Sequence, residues 1–290
     1  MPPKTIPEIR STAKVKCHVF STGYCLASEH HVLQGGRPVP IQCHALVALL
    51  EHPCLGYLLF DTGYAHRRLL AATKRLPYRF YRRAAPFFTT PEEAAVTVLS
   101  RRFGITAPQI RWVVLSHFHP DHLSGLGDFP NSRIIASPDG YRDALGLKGI
   151  PALACGVLPD LLPADFAARA EMLPMTFTHE PLQNLGPTHD LFGDGLLRAV
   201  RLPGHATGQI GLLAETERGP IFFVADAAYT RRSIKENRPP HRITNLFTEG
   251  ADKVEETLAR LHRFAIERPE VCLIPSHCPD AYREWNDCIA

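Results

Sequence analysis

The amino-acid sequence predicts an α/β protein in which two β-sheets pack at the centre and helices cover both outer sides, a four-layer α/β/β/α sandwich. The first observation is a series of short apolar, β-branched runs, many without alternation, which is typical of strands covered on both faces. The second is the set of helical patterns that fall between these runs. The order of strand-rich, helical, strand-rich and helical stretches favours central sheets with the helices outside.

The predicted strands are short segments rich in Val, Ile, Leu and Phe and bounded by residues that favour turns. They are Lys14–Phe20, Gln42–Leu50, Gly56–Phe60, Ile110–Leu115, Arg133–Ala136, Leu196–Leu202, Ile210–Ala214, Ile221–Ala225 and Val271–Ile274. The predicted helices are Glu92–Arg102 after a Thr-Thr-Pro sequence, Pro138–Leu145 after Ser137, and Asp252–Glu267 with its 3.6-residue period.

Length and composition are those of a globular protein with a sizeable core. The chain has 290 residues, of which 45% are hydrophobic, and we expect a single domain over residues 1–290. A formal net charge of +3 is too small to indicate binding to nucleic acid. The charge alone does not exclude nucleic acid, but the motifs described below favour a small-molecule partner and no nucleic acid.

The start of the chain and its cysteines indicate where the protein acts. Met1–Arg10 has no apolar region typical of a secretory signal, and no stretch approaches the roughly 18 apolar residues of a membrane helix. The cysteines are scattered without a paired framework, at Cys17, Cys25, Cys43, Cys54, Cys155, Cys272, Cys278 and Cys288. Such cysteines are typical of thiols in a reducing compartment, so we expect a cytoplasmic protein without a membrane partner.

Two segments are predicted as additions to the sandwich, at about residues 64–91 and 149–194. The first contains seven Lys or Arg, no acidic residue and several aromatic residues. Basic residues interleaved with aromatics can bind nucleic acid, but this spacing favours an amphipathic helical excursion packed on the core or on a partner subunit. A homodimer would bury such an apolar face. The second segment is rich in Leu and Pro and is expected to cover one edge of the active-site mouth.

Four side chains that can bind metal lie within six positions, directly after the predicted strand Ile110–Leu115: His117, His119, Asp121 and His122. Imidazoles and carboxylates are hard to bury unless they are paired or bind a metal. Alternation along an extended loop points His117 and His119 to one side, while Asp121 and His122 turn toward a neighbouring point. Nitrogen donors with a carboxylate suit Zn²⁺, with Fe, Mn or Co as alternatives.

Further candidate ligands follow other predicted strands. His205 comes after Leu202-Pro-Gly, Asp226 ends the apolar run Ile221–Ala225, and His277 follows Val271–Ile274 after Pro-Ser. In α/β proteins, sites assemble at such strand ends. The sequence therefore predicts a metal centre to which several strands contribute.

In this order the motifs resemble the metallo-β-lactamase superfamily, with an HxHxDH run, a later Pro-Gly-His, an aspartate after an apolar strand and a C-terminal histidine. Asp61-Thr62-Gly63, after Gly56–Phe60, is similar to the Asp-Thr-Gly turn of that family, where the aspartate supports the ligand loop. The motifs extend from residue 61 to residue 277, so the resemblance covers most of the chain. It implies the αββα sandwich of that superfamily.

The resemblance also implies a centre with two divalent transition-metal ions. One ion would be held by His117, His119 and His205, the other by Asp121, His122 and His277, and Asp226 would bridge them. Two such ions about 3.5–4 Å apart bring the pKa of a bridging water toward neutrality and polarise a carbonyl or phosphoryl oxygen.

Tyr229 is the residue most informative about the substrate. Asp226-Ala-Ala-Tyr229-Thr resembles the Asp-Ala-x-Tyr-Thr element of the N-acyl-homoserine lactonases, in which the tyrosine hydrogen-bonds the carbonyl oxygen as charge builds on it. The stretch from His277 to Trp285 is also similar to that group. The resemblance implies opening of a lactone ring by a metal-bridging hydroxide, with Asp121 shuttling a proton to the leaving alkoxide.

Two features depart from the lactonase pattern and leave alternatives open. Leu123-Ser124-Gly125-Leu126 stands where the lactonases usually show a Gly-Gly pair, and the basic segment 64–91 suits an anionic substrate better than a neutral lactone. A glyoxalase-II-like hydrolase of acyl thioesters is therefore one alternative. A metal-binding sensor without turnover is another, although the complete ligand set favours an enzyme.

Overall fold

The structure is a computed structural model that describes residues 13–287 of the chain. The segment Met1–Arg10 and Cys288, on which the expectations about secretion and one of the thiols depend, lie outside the described residues. Within residues 13–287 the chain forms two β-sheets that face each other, with helices on the outer face of each. The predicted α/β/β/α order is confirmed.

The first sheet contains seven strands. They are β1 (Lys16–Ser28), β2 (Pro40–His52), β3 (Gly56–Phe60), β4 (Phe87–Phe88), β5 (Ile110–Val114), β6 (Arg133–Ala136) and β7 (Ala170–Met172). Their order across the sheet is β4-β1-β2-β3-β5-β6-β7, and the last four of these are parallel. Because parallel strands end at the same edge, the segments that follow β3 and β5 begin side by side.

The second sheet contains six strands. They are β8 (His179–Leu182), β9 (Gly186–Asp190), β10 (Leu197–Arg201), β11 (Ile210–Thr216), β12 (Gly219–Ala225) and β13 (Cys272–Pro275). Their order is β13-β12-β11-β10-β9-β8. Among the described strands of this second sheet, only β12 and β13 are parallel to each other.

The helices lie between and after these strands. They are α1 (Glu29–Val32), α2 (His66–Ala72), α3 (Tyr81–Ala84), α4 (Ala95–Phe103), α5 (Pro120–Leu123), α6 (Pro138–Gly146), α7 (Gly149–Ala154), α8 (Phe166–Arg169), α9 (Arg231–Glu236), α10 (Ala251–Glu267) and α11 (Pro279–Asp287). In residues 13–287, none of them combines the length and the apolar character that crossing a bilayer requires.

Three clusters of buried apolar side chains define the four layers. Between the sheets, Phe60 of β3 meets Phe223 of β12 with ring centroids 5.7 Å apart. Outside the first sheet, Leu59 belongs to a cluster that also contains residues of α2 and α4. Outside the second sheet, Phe222 packs edge-on against Phe264 of α10 at 5.7 Å. Alternate residues of one strand thus serve two different cores, as a sheet covered on both faces requires.

The first strand is longer than the sequence prediction of Lys14–Phe20. β1 continues to Ser28, and its second half pairs with the start of β2. The register shifts between Ser21 and Tyr24, where Gly23 adopts a φ of 123°. Such a bulge interrupts the alternation of side chains, and the continuing strand is therefore hidden from a pattern search.

Further differences are several short helices absent from the sequence prediction, such as α9 and α11, the strands near the sheet edges and one helix start. The sequence prediction lacks β4, β7, β8 and β9, which are short, polar or at the sheet edges, where little apolar periodicity is needed. The predicted start of a helix at Glu92 is also wrong, because α4 begins at Ala95. The Glu93 carboxylate accepts a hydrogen bond from the Thr90 amide (2.8 Å) and so stabilises a turn before the helix.

The basic segment 64–91 forms α2, α3 and β4 on the side of the first sheet. Tyr64 and Tyr81 are buried in the outer core, and Tyr78 and Phe87 pack against it, whereas Phe80 is 56% exposed. All seven of its basic side chains are exposed. The segment therefore packs part of its aromatic face on the core, as its spacing indicates, and presents a basic surface to solvent.

The second segment, 149–194, extends both sheets instead of lying only outside them. It supplies β7 to the first sheet and β8 and β9 to the second. Between α7 and β7 it also approaches the metal-binding motif, where the Cys155 carbonyl oxygen is 3.1 Å from Nε2 of His119. The segment thus contacts a candidate ligand, while its expected cover over one edge of the active-site mouth stays a prediction.

Candidate metal centre

The loop after β5 carries the first ligand candidates. His119, in extended conformation with φ −72° and ψ 155°, immediately precedes the single turn of α5, which Pro120 begins. Proline at the first helical position fixes the backbone turn at this point. The chain direction therefore changes between His119 and Asp121, and His122 lies on the helix turn, so the four side chains divide between two neighbouring points.

The first point gathers His117, His119 and His205. One ring nitrogen of each lies within 4.8 Å of the others. Nδ1 of His119 and Nε2 of His205 are 2.9 Å apart. Because Nε2 of His119 donates to the Cys155 carbonyl at 3.1 Å, its Nδ1 carries the lone pair and faces the other two rings.

The second point gathers Asp121, His122, Asp226 and His277, again with one ligand atom of each within 4.8 Å of the others. Nε2 of His277 is 2.8 Å from Oδ2 of Asp226 and 3.3 Å from Oδ2 of Asp121. Nε2 of His122 is 3.3 Å from Oδ1 of Asp226. The structure thus brings together all seven residues that the sequence proposes as ligands, in the two predicted sets.

Asp226 lies where the two sets meet. Its Oδ2 is 2.8 Å from His277 of the second set and 3.3 Å from Nε2 of His205 of the first set. The side chain is 2% exposed and follows Ala225, whose φ of 48° lies in the left-handed region. A non-glycine residue with this φ is strained, so the end of β12 is held in an unusual conformation that aims the carboxylate between the two sets.

The protonation tendencies differ between the two points. Burial lowers the pKa of His117 and His119 and brings the pKa of His205 to about 3, so these rings are neutral and offer lone pairs. Burial also disfavours charge on His277, but the carboxylates of Asp226 and Asp121 outweigh it and raise its pKa to about 10. The second set of candidate ligands, which contains both carboxylates, therefore attracts positive charge.

Several buried polar atoms at these points make no hydrogen bond within the described part of the chain. They are Nε2 of His117, Nε2 of His122 and Oδ1 of Asp226. Buried groups of this kind are costly unless something satisfies them. Three converging imidazoles beside a mixed set of imidazoles and carboxylates are the donors of divalent transition-metal sites. The residues present therefore fit two such ions.

Asp61 makes hydrogen bonds to the loop that carries the first candidate ligands. Its Oδ2 is 2.8 Å from Nδ1 of His122, and its Oδ1 accepts the Ser116 amide at 2.8 Å. The Ser116 hydroxyl donates to the same carboxylate at 2.8 Å and is 2.9 Å from Nδ1 of His117. Asp61 itself has a φ of 62°. Ser116 is a positioning residue that the sequence analysis did not identify, although it directly precedes the histidine motif.

The stretch Leu123-Ser124-Gly125-Leu126, which departs from the lactonase pattern, makes specific contacts with the Asp-Thr-Gly turn. The buried Ser124 hydroxyl donates to the Gly63 carbonyl (2.9 Å) and accepts the Ala65 amide (2.8 Å). A side chain at Gly125 would place its Cβ 2.4 Å from the Thr62 carbonyl oxygen. The serine thus ties the two loops together, while the glycine permits their close approach.

His277 is oriented by a backbone carbonyl. Its Nδ1 donates to the His44 carbonyl oxygen at 2.7 Å, which leaves Nε2 directed at Asp226. The His44 ring in turn stacks on Tyr282 of α11 at 3.8 Å. His44 could not be found from the sequence, because a backbone carbonyl leaves no signal in residue type.

Tyr229 lies beside the candidate ligand cluster. Its hydroxyl is 3.4 Å from Nδ1 of His205, and its ring stacks on His277 with centroids 5.7 Å apart. Burial and the Asp226 carboxylate hold the pKa of the phenol well above its usual range, so the group is a hydrogen-bond donor. Tyr229 and His277 line a cavity of about 600 Å³ that opens between β1, β2 and α3 and also includes Arg83.

The sequence pattern of the metallo-beta-lactamase superfamily matches residues 42–277, and the chain belongs to this superfamily. It is 27% identical over 200 residues to N-acyl homoserine lactonase AttM of Azorhizobium caulinodans, which covers 67% of this chain and 68% of that protein. It is 26% identical over 265 residues to N-acyl homoserine lactonase AiiB of Agrobacterium fabrum, which covers 87% and 90%. The chain thus spans about two thirds of the AttM protein and most of AiiB.

Among solved structures, an N-acyl homoserine lactone hydrolase with the product N-hexanoyl-L-homoserine bound at its catalytic metal centre has the same fold. The TM-score is 0.71 at 19% identity, over 94% of this chain and 96% of that one. The protein is accordingly a hydrolase of the metallo-β-lactamase superfamily with lactonase relatives.

Proposed function

We propose that the protein opens the ring of an N-acyl-homoserine-lactone-like substrate at a centre of two divalent metal ions. The observation that carries the proposal is the position of Tyr229, whose hydroxyl is 3.4 Å from His205 and whose ring forms a wall of the cavity that His277 also lines. A carbonyl group in this cavity meets a phenol donor and the ligand cluster together. The lactonase relatives support the choice of a lactone.

His117, His119 and His205 would hold one ion, Asp121, His122 and His277 the other, and Asp226 would contact both. Zinc suits these donors best, with iron, manganese or cobalt as alternatives. When bound, the two ions would supply a hydroxide nucleophile at neutral pH and draw electron density from the lactone carbonyl.

Tyr229 would act on the carbonyl oxygen. Because burial keeps its phenol protonated, the hydroxyl can donate a hydrogen bond that strengthens as negative charge accumulates on this oxygen. Stacking against His277 fixes the ring before the substrate arrives, so little reorganisation is needed. Its contribution is larger in the transition state than in the ground state, which is the condition for an effect on turnover.

Asp121 would carry the proton to the leaving alkoxide. Its side chain is 11% exposed, more than that of Asp226 at 2%, and its Oδ2 is 3.3 Å from Nε2 of His277. A carboxylate between the cluster and solvent can accept a proton and release it to the ring-opened oxygen. The three roles together describe ring opening without a covalent enzyme intermediate.

Tyr229→Phe is expected to lower kcat by about 10–100-fold, with a small change in KM, because one hydrogen bond to the carbonyl oxygen is lost while the bound ions would still polarise this group. The phenyl ring keeps the contact with His277, so metal content and folding should not change. Kinetics on an N-acyl-homoserine lactone measure the effect, with Tyr57→Phe on β3 as the matched control. Wild-type kcat for Tyr229→Phe would remove the main support for the lactonase proposal.

A second candidate function, hydrolysis of acyl thioesters, is favoured by the basic segment. Arg79, Arg82 and Arg83 line an outer cavity of about 430 Å³ together with Leu76 and Phe80. Arg83 also lines the cavity that contains Tyr229 and His277. Among the described residues that line the two cavities there is no aspartate or glutamate. Guanidinium groups bind phosphate well. The phosphates of a thioester of coenzyme A would therefore fit the outer cavity while its acyl group enters the cavity lined by Tyr229.

The two candidates are separated by one acyl chain presented in three forms, as the homoserine lactone, the coenzyme A thioester and the N-acetylcysteamine thioester. If the arginines bind phosphate, Arg83→Gln lowers kcat/KM for the coenzyme A thioester by about 10-fold, as for a lost charge-assisted contact. The two substrates without phosphate should be unaffected. Arg67→Gln, also exposed in the same segment, is the matched control. Preference for the lactone, insensitive to Arg83, would exclude the thioester candidate.

A metal-binding sensor without turnover is the alternative of another class. Metal binding without turnover of any substrate in this panel would favour the sensor. We also propose a cytoplasmic location, which agrees with the free thiols of the seven described cysteines.

A homodimer is proposed because the basic segment exposes aromatic side chains. Phe80 and Phe88 are 56% and 44% exposed and would be covered in a dimer. Light scattering of the purified protein measures the oligomeric state.

A further inference from the structure

Cys25 of β1 and Cys43 of β2 are directly opposite each other in the antiparallel pair. Directly opposed residues in such a pair have Cα atoms about 4.5–5.5 Å apart, which lies within the range of about 4.4–6.8 Å that a disulfide spans. Cys25 also packs against the small apolar cluster to which Cys43 belongs. In the reduced protein they form a dithiol on the first sheet.

This dithiol belongs to the wall of the substrate cavity. Cys25 and Cys43 line the same 600 Å³ cavity as Tyr229 and His277. Cys43 forms a small apolar cluster with Val32, and both Cys25 and Tyr229 pack against it. Cys43 is therefore part of the apolar surface on which Tyr229 packs. None of the metal ligands is a cysteine, so the proposed function makes no use of this pair.

The two sulfurs differ in accessibility. Cys43 is 3% exposed, whereas Cys25 is half-buried and reaches the cavity. The hydrogen bond from Cys43 outweighs burial and lowers the pKa of Cys25, while that of Cys43 is raised well above its usual range. An accessible, more acidic thiol beside a buried partner is the arrangement of an attacking and a resolving cysteine.

We infer that Cys25 and Cys43 are a redox modification site, which a peroxide converts to a disulfide in the wall of the substrate cavity. The Cys25 sulfur attacks a peroxide oxygen, so an S–O bond forms, the O–O bond breaks and water leaves. The Cys43 sulfur then attacks the Cys25 sulfur, so the S–S bond forms, the S–O bond breaks and a second water leaves. Two thiols are oxidised and one peroxide is reduced.

The bond should disturb the site through Tyr229. Drawing the two sulfurs to bonding distance would change the surface on which Tyr229 packs and so move the phenol relative to His205. A misplacement of about 1 Å can cost as much as about 100-fold in rate. This consequence for turnover rests on the proposed function, whereas the disulfide itself does not.

Mass spectrometry of the metal-loaded, full-length protein tests the inference. After hydrogen peroxide treatment, cleavage at glutamate separates the pair, because Cys25 falls in residues 9–29 and Cys43 in residues 30–51. We expect these two peptides to be joined and to separate again with dithiothreitol. Cys25→Ser and Cys43→Ala should each abolish the link, which also excludes Cys17 of the same peptide as the partner. Cys54→Ser, at an exposed thiol, should leave it unchanged.

Turnover of the best substrate is measured on the same samples. We expect oxidation to lower kcat by at least about 10-fold, within the cost of a small displacement, and the Cys25→Ser variant to resist the treatment. Absence of the linked peptides at a peroxide dose that oxidises Cys54 would overturn the inference. Linked peptides with unchanged kcat would refute the effect on the site. A protein that forms the link but hydrolyses no substrate would instead contradict the proposed function.

Discussion

Asp226→Asn is expected to abolish hydrolysis, with a loss of at least about 1,000-fold, because losing only an outer partner of a metal ligand already costs about 10–100-fold. The amide has nearly the same shape as the carboxylate, so the packing at the end of β12 is preserved. What is lost is the negative charge that faces His122, His205 and His277 at 2.8–3.3 Å. Without it, two cations would repel each other at the place where the ligand sets meet.

Steady-state kinetics and metal analysis together measure this effect. The variant should retain about one of two equivalents of metal, since His117, His119 and His205 are untouched. Asp194→Asn is the matched control, because this aspartate is also buried against a histidine, 2.8 Å from Nε2 of His52, but outside the site. It should lower stability and leave kcat unchanged. Wild-type turnover and full metal content in Asp226→Asn would contradict the proposed bridging role.

Removal of metal is expected to have the largest effect of all. The purified protein should contain close to two equivalents of transition metal per chain, and dialysis against a chelator should remove both the metal and all measurable turnover. Added zinc should restore both. The same treatment should lower the thermal unfolding midpoint, because a ligand that binds only the folded state stabilises it.

The control for metal removal is dialysis against the chelator already saturated with zinc, which should change neither metal content nor turnover. Circular dichroism identifies whether the metal-free protein is still folded. A folded, metal-free protein that hydrolyses its substrate at the original rate would contradict the central proposal. Manganese, iron or cobalt restoring a higher rate than zinc would change only the identity of the metal.

Most of the central fold could be predicted because both faces of its strands are buried. β3 and β6 have the predicted bounds, since continuous apolar runs such as Gly56–Phe60 end sharply at turn residues. β9, Gly186-Pro-Thr-His-Asp190, carries no apolar pattern, because backbone hydrogen bonds to β10 and to the edge strand β8 hold it in the sheet. The second half of β1 was hidden by the bulge at Gly23.

The candidate site was predictable to the extent that side chains determine it. The histidines and aspartates proposed as ligands could be found because imidazoles and carboxylates after apolar strands have few other uses. The carbonyl groups of His44 and Cys155 orient two of these histidines but leave no trace in residue type. The Cys25–Cys43 contact depends on the register of β1 against β2, and a strand predicted to end at Phe20 does not include it.

The proposed ligands come from both sheets. The motif from His117 to His122 follows a strand of the first sheet, while His205, Asp226 and His277 follow strands of the second. Bound ions would therefore act as a cross-link between the two halves of the sandwich, closing a loop of chain that spans most of the protein. The distance between the ions would in turn depend on the thickness of the inter-sheet core. Phe60 and Phe223 are not among the proposed ligands. Substitutions at either residue should nevertheless change the distance between the ions by changing that thickness.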